Sequence, residues 1–301
     1  MAGSRHGGVD FARRDRQALR LSGLDRRLNA FRDDLADAAL RDTVRASTYV
    51  EGTPARIGRP VVPVRPAPDP TRARDTEFLF GEPVTLFEEK DGWAWVQSRR
   101  DGYVGYVEAD AVLTFAPVPT HRVSAIRTHA YPAPDLKRFA ITALTVGSQV
   151  TVVDRDGSWS RVADGTWFPS GHLTPLESHD GDPAAEALRF LEAPYLWGGR
   201  SSEGLDCSAL IQFALEACGV PCPRDTDMQE VALGRVVDRD TAPLRRSDLV
   251  FWPGHVGMMI DANRIVHTNA TDMATRVWDL DKLAAHIERI EGNPIRVIKR
   301  L

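Results

Sequence analysis

Cys207 is the residue at which chemistry is first legible in this sequence. It follows Asp206 and opens a run in which Leu210, Ile211, Ala214, Leu215 and Cys218 recur at helical spacing until Gly219 stops it. Cys207 is therefore expected at a helix N-terminus. There the unpaired N–H groups and the positive end of the dipole favour a thiolate, the species that attacks carbonyls. Cys218 lies about 16 Å along the same helix, too far to bridge Cys207. It reads, like Cys222, as a structural thiol. A cysteine nucleophile needs a base from elsewhere in the fold. His255 opens the segment His255-Val-Gly-Met-Met-Ile, in which His255, Gly257 and Met259 share one face of a strand. His267 stands on the next strand-like run, and a turn centred on Asp261 or Ala262 puts both histidines on the same face. His267 would then hold His255 in the correct tautomer, with Asn269, two residues on, as the competing orienter.

Other chemistries find less support. There is no His-Glu-x-x-His and no paired Cys-x-x-Cys, and Cys218 and Cys222 have no adjacent histidine pair, so neither a metal nor another cofactor is expected. Gly198-Gly199 lacks the Lys-Ser/Thr that a phosphate loop requires. With 38 Lys plus Arg against 42 Asp plus Glu, a formal charge of -4 gives no basic field for nucleic acid or anionic lipid. No stretch reaches the roughly 18 apolar residues of a membrane span. The arginine-rich N-terminus lacks the apolar block of a secretory signal, and the three cysteines suit a reduced compartment. A cytoplasmic protein, with neither nucleic-acid nor membrane partners, is the expectation.

The elements that must position these residues follow from length and pattern. At 301 residues the chain is long enough for two or three domains, and 43% hydrophobic residues supply real cores. Leu24, Leu28, Phe31 and Leu35 recur at steps of three and four, which predicts a helix over 24–40. Six prolines between Glu51 and Pro70 read as a surface tether, closing an N-terminal segment over 1–60. Short strand-like runs and glycine turns follow over 61–116 and again over 117–179. Gly81-x-x-Val-x-Leu with Asp91-Gly-Trp-x-x-Val is matched by Gly147-x-x-Val-x-Val with Asp156-Gly-Ser-Trp-x-x-Val, an internal repeat that implies tandem barrels. From about residue 180 to 301, helices come first and strands second, an α+β order.

The barrels resemble bacterial SH3 modules: Gly102-Tyr-Val-Gly-Tyr-Val stands where those often have Gly-Tyr-x-Gly-Trp-Val. The last domain resembles the NlpC/P60 cysteine peptidases, papain-like enzymes of bacterial cell-wall peptides. The matching strings are Pro194-Tyr-Leu-Trp-Gly-Gly-Arg-Ser-Ser-Glu-Gly-Leu-Asp-Cys-Ser-Ala-Leu-Ile-Gln, Pro223-Arg-Asp-Thr-Asp-Met-Gln, Asp248-Leu-Val-Phe-Trp and Gly254-His-Val-Gly-Met. Ala209 stands where many relatives have glycine after Cys-Ser. The resemblance implies Cys207 as nucleophile, His255 as base and His267 as third member. It also implies substrate contacts from Asp206, Ser208, Trp197, Asp225 and Thr226.

Two SH3-like modules ahead of the peptidase make the chain similar to γ-D-glutamyl-L-diamino acid endopeptidases, which cut free murein stem peptides. In those, carboxylates and a tyrosine hold the peptide's N-terminal amine. The resemblance carries Asp225, Tyr103 and Glu77 into that role, with Glu82 and Tyr106 as the shifted alternative. The rival classes are a non-catalytic wall-peptide-binding protein and an acyltransferase or amidase on the same fold. The presence of Cys207, His255 and His267 speaks against the first.

Overall fold

The repeat that starts at Gly81 and again at Gly147 folds as a repeat. In the computed structural model, which describes residues 23–179 and 181–301, both glycines adopt left-handed φ values, +77° and +85°. Gly81 is also required by space, since a Cβ there would come 2.0 Å from the Gln149 carbonyl oxygen of the other barrel. Each barrel then bulges at the same step, between Leu86 and Glu88 in the first and between Val152 and Asp154 in the second. The first barrel's sheet runs in the order Val104–Glu108, Trp93–Ser98, Pro83–Lys90, Thr53–Ile57, Val112–Leu113, with the pair Val61–Val64 and Thr76–Leu79 packed across it. Ile57, Val64, Phe78, Val96 and Val107 fill its core. In the second, Val123, Ala130, Leu144, Val162 and Phe168 do the same.

Two expectations for the N-terminal region fail. No α-helix forms over 24–40, where Ala38–Leu40 makes a single 3-10 turn, and residues 1–22 lie outside the described ones. The Asp25 carboxylate accepts the Arg27 N–H at 2.9 Å and the Asn29 amide donates to the Asp25 carbonyl at 2.8 Å, so local polar side chains satisfy the backbone that a helical turn would use. The apolar residues also part company. Leu35 packs with Phe87 and Trp95, whereas Phe31 packs with Ala36 and Val44. Leu35–Asp37 becomes a strand parallel to Thr48–Val50. The proline-rich stretch is no tether either, because Thr53–Ile57 and Val61–Val64 are barrel strands. Pro54 pairs on one side with Thr85 and lies beyond the reach of Val112–Leu113 on the other, where a missing N–H costs no ladder bond. The first barrel thus begins before residue 61.

In the last unit, α1 (Pro183–Leu188) starts on Pro183 with Asp182 capping the Ala185 N–H. A short hairpin, Arg200–Ser201 with Gly204–Leu205, leads into α2 (Cys207–Ala217), followed by α3 (Thr226–Ala232). The antiparallel sheet runs Arg235–Val237, Val297–Arg300, Leu249–Trp252, His255–Met259, Arg264–Asn269, Ala274–Asp279, and α4 (Leu280–Glu291) follows the last of these in sequence. Leu249, Phe251, Val256 and Met258 turn toward α2, which is buried from Cys207 to Leu215. Val250, Trp252, Met259 and Ile265 turn toward α4. Alternation along each strand therefore gives the sheet a helix on both faces. Among the described residues no helix is long and apolar enough to cross a membrane.

Candidate active site

Cys207 is the first residue of α2 because Asp206 builds the start of that helix. The Asp206 carboxylate accepts the Ala209 N–H at 2.9 Å, as an N-cap should, and also the Gly198 N–H at 3.1 Å. Arg224, fully buried, grips the same carboxylate through both terminal nitrogens at 2.9 and 2.7 Å. It also donates to Ser208 Oγ at 2.7 Å and to Thr76 Oγ1 of the first barrel at 2.7 Å. The Cys207 sulfur takes a hydrogen bond from the Val256 N–H, next to His255 in the chain, and lies 3.9 Å from Thr226 Oγ1. The expectation of a resting thiolate is not met. Burial, and then Asp206, push the thiol up to about 11, outweighing the opposing pull of Val256, Thr226 and Arg224.

His255 and His267 come together as strand parity requires. Met258 pairs with Val266 and Met259 with Ile265, a turn centred on Ala262. His255 Nε2 lies 3.0 Å from His267 Nδ1. Asn269 reaches His267, not His255: its Nδ2 is 3.3 Å from His267 Nε2, and both its amide atoms are tied to Asp272. Burial pulls His255 down to about 4, and burial together with His255 and His286 lowers His267 as well. Both rings are neutral at pH 7. A neutral imidazole lining the same cleft as a neutral thiol is the state from which a base accepts a proton.

The cleft that Cys207, His255 and His267 line, with a volume of about 420 Å³, is lined by the first barrel as well. Tyr103 and Asp75 come from that barrel, and Asp225, Thr226 and Asp227 from the start of α3. The Tyr103 hydroxyl donates to Asp225 Oδ2 at 3.2 Å. Burial, then Asp225 and Asp75, hold its phenol well above the ordinary value, which keeps it a donor. Burial also raises the Asp225 carboxyl, against the pull of Arg224 and Arg27. Trp197, more than half exposed, forms another wall, while Asp206 and Ser208 line the floor with side chains already engaged by Arg224.

Glu77 is not part of this cleft. Its carboxylate accepts the Arg200 N–H at 2.8 Å and pairs with Arg74, two residues away from the side chain that does reach the cleft, Asp75. Glu82 is likewise committed, to buried Arg200 at 2.7 Å, and Tyr106 to Arg32 at 2.9 Å. The shifted alternative therefore fails too. Sequence reasoning missed Asp75, Arg224 and Tyr195. Tyr195 lines the cleft, and burial first, then its neighbours Cys207 and Asp206, raise its phenol. Arg224 stood in the string Pro223-Arg-Asp-Thr, and its neighbour Asp206 was the available signal, since a buried carboxylate needs a cation.

Comparison with known proteins accords with this geometry. Residues 192–286 match the NlpC/P60 family, and residues 64–112 match the family described as the bacterial dipeptidyl-peptidase SH3 domain. Dipeptidyl-peptidase 6 of Lysinibacillus sphaericus is 28% identical over 230 residues, covering 68% of this chain and 84% of that protein. Gamma-D-glutamyl-L-lysine dipeptidyl-peptidase of Bacillus subtilis is 26% identical over 226 residues, covering 68% of this chain and 75% of the relative. The crystal structure of an NlpC/P60 family protein from Bacillus cereus superposes with a TM-score of 0.71 at 19% identity, covering 82% of this chain and 99% of the other, a likeness of fold.

Proposed function

We propose that this chain, which carries an NlpC/P60 domain behind a bacterial dipeptidyl-peptidase SH3 domain, is a cysteine peptidase that hydrolyses the γ-D-glutamyl-diamino acid bond of free murein stem peptides bearing an unblocked N-terminal L-Ala. The observation that carries this reading is the acidic end of the cleft, where Tyr103 and Asp75 of the barrel meet Asp225 beside Cys207. An ammonium is costly to bury unless paired, so such a site rewards a peptide with a free amine and penalises one that is acylated. The names of the two relatives supply the bond: one is a dipeptidyl-peptidase and the other acts on γ-D-glutamyl-L-lysine. A requirement for a free amine suits released peptides in the cytoplasm, during recycling, better than intact wall.

In the reaction His255, its Nε2 held 3.0 Å from His267 Nδ1, takes the Cys207 proton on its other nitrogen as sulfur attacks the γ-carbonyl carbon. The Cys207 N–H, which has no intrahelical partner at the first position of α2, and the Tyr195 hydroxyl are the donors for the developing oxyanion. Collapse breaks the C–N bond, and the diamino acid leaves with the proton from His255. Water, deprotonated by the same ring, then cleaves the thioester and restores the thiol. Incubation of L-Ala-γ-D-Glu-diaminopimelate with the enzyme should give L-Ala-γ-D-Glu and diaminopimelate by mass spectrometry. Cys207→Ala should lower the rate by at least about a thousandfold, and full activity in that variant overturns the assignment.

A further inference from the structure

Asp225 stands at the N-cap of α3 yet does not cap it, whereas Asp206 at the corresponding place on α2 does. Both of its hydrogen bonds converge on Oδ2, from Tyr103 Oη at 3.2 Å and from Arg27 Nη1 at 2.7 Å. Oδ1 takes none from any described residue. Arg27 comes from neither the barrels nor the peptidase unit but from the N-terminal loop, 198 residues away in sequence. That loop is fixed to the first barrel: the Val104 N–H donates to the Arg27 carbonyl at 2.8 Å, and the Gln97 amide to the Leu28 carbonyl at 2.9 Å.

The guanidinium of Arg27 also binds both oxygens of Asp227, at 3.0 and 2.8 Å, and Asp25 at 2.7 Å. Arg27 is not among the described residues lining the cleft, although Asp225, Asp227 and Tyr103 are. It therefore stands behind Asp225 and does not occupy the place of a ligand. The charged and titratable groups facing Asp225 are Arg27 and Asp227, Arg224 on the buried side, and Tyr103 and Asp75 from the barrel. Arg224 commits both terminal nitrogens to Asp206, which leaves Arg27 as the cation bonded to Asp225.

We propose that Arg27 is a positioning residue that keeps Asp225 ionised, with Oδ1 turned into the cleft, so that the N-terminal loop completes the site selecting free amines. The inference rests on the amine reading above. Without Arg27, Asp225 would face Asp227 with no cation on Oδ2, its ionised form would be disfavoured, and binding of an ammonium would fail at a higher pH than in the wild type.

The test follows kcat and KM from pH 5 to 8 for free and N-acetylated L-Ala-γ-D-Glu-L-Lys. The wild type is compared with Arg27→Met, Arg27→Lys and Asp227→Asn, with thermal melts confirming that each is folded. For the free peptide, Arg27→Met should raise KM by about tenfold at pH 6 with kcat little changed, and move the acid limb of kcat/KM up by about one pH unit. Arg27→Lys, which restores the charge without the planar fork, should recover most of the loss. Asp227→Asn should move the limb the other way, and this carries the test if Arg27→Met does not fold. The slow rate on the acetylated peptide should not respond. An unchanged limb and KM in the folded Arg27 and Asp227 variants, or faster cleavage of the free peptide by Arg27→Met, would overturn the proposal. A wild type indifferent to acetylation would instead bring down the amine reading and Arg27's role with it.

Discussion

Asp75 and Ile141 occupy the same place in the two barrels. Each follows a Pro-Ala-Pro-Asp loop, and each donates its backbone N–H across a strand pair, Asp75 to Val64 and Ile141 to Ala130. Yet Asp75 lines the cleft, and Ile141 is 48% exposed. The turn that delivers Tyr103 in the first barrel is Arg-Arg-Asp-Gly-Tyr, and its counterpart in the second is Ala-Asp-Gly-Thr. The contacts with the peptidase unit differ in kind as well. The first barrel contributes Thr76 to Arg224 and Glu82 to Arg200, both arginines fully buried. The second accepts the Ser202 N–H on Thr145 and pairs Arg127 with Glu203 at the surface. One fold thus serves as half of a binding site in one copy and as an outer support in the other. What separates them is a handful of turn residues and which copy faces the groove.

Breaking the seam of the first barrel should have the largest effect. Arg224→Met leaves the Asp206 carboxylate buried without its cation and cuts the link to Thr76, an expected loss of about 3 to 5 kcal/mol, visible as a lowered Tm together with lost turnover. An unchanged melting temperature would mean that the seam is held elsewhere. Exchanging the two repeat positions sharpens the comparison at smaller scale. Asp75→Ile should lower kcat/KM for a free-amine peptide by about ten- to a hundredfold, since a contact to a charged group is lost. Ile141→Asp, the reciprocal change at an exposed position just before the strand Thr142–Thr145, should alter neither activity nor stability by more than about 0.5 kcal/mol. Equal effects of the two changes would erase the functional distinction between the barrels.

Much of this arrangement was legible in local pattern. Cys207 could be placed at a helix start because Asp206 and the stripe from Leu210 to Leu215 are contiguous, and the two histidines could share a face because strand alternation has a period of two. The barrels were visible through their glycine turns. What escaped depends on contacts between distant segments. Whether Asp75 or Glu77 reaches the cleft turns on how the strand pair Val61–Val64 and Thr76–Leu79 lies against the peptidase unit, and both carboxylates suit the chemistry equally. The raised thiol of Cys207 comes from burial and Asp206, which a dipole argument on one helix does not count. The missing helix over 24–40 has a local cause: the spacing of Leu24, Leu28, Phe31 and Leu35 outweighed, in the reading, what Asp25 and Asn29 do to a backbone.

The central claim is that the first barrel and α3 together form a site for a free ammonium next to Cys207. The most direct measurement is the ratio of kcat/KM for L-Ala-γ-D-Glu-L-Lys over its N-acetylated form, in the wild type and in Asp225→Asn. The account predicts a wild-type ratio of at least about a hundredfold that collapses toward unity in Asp225→Asn through loss of the free-peptide rate alone. A wild type that cleaves both peptides at similar rates would contradict it.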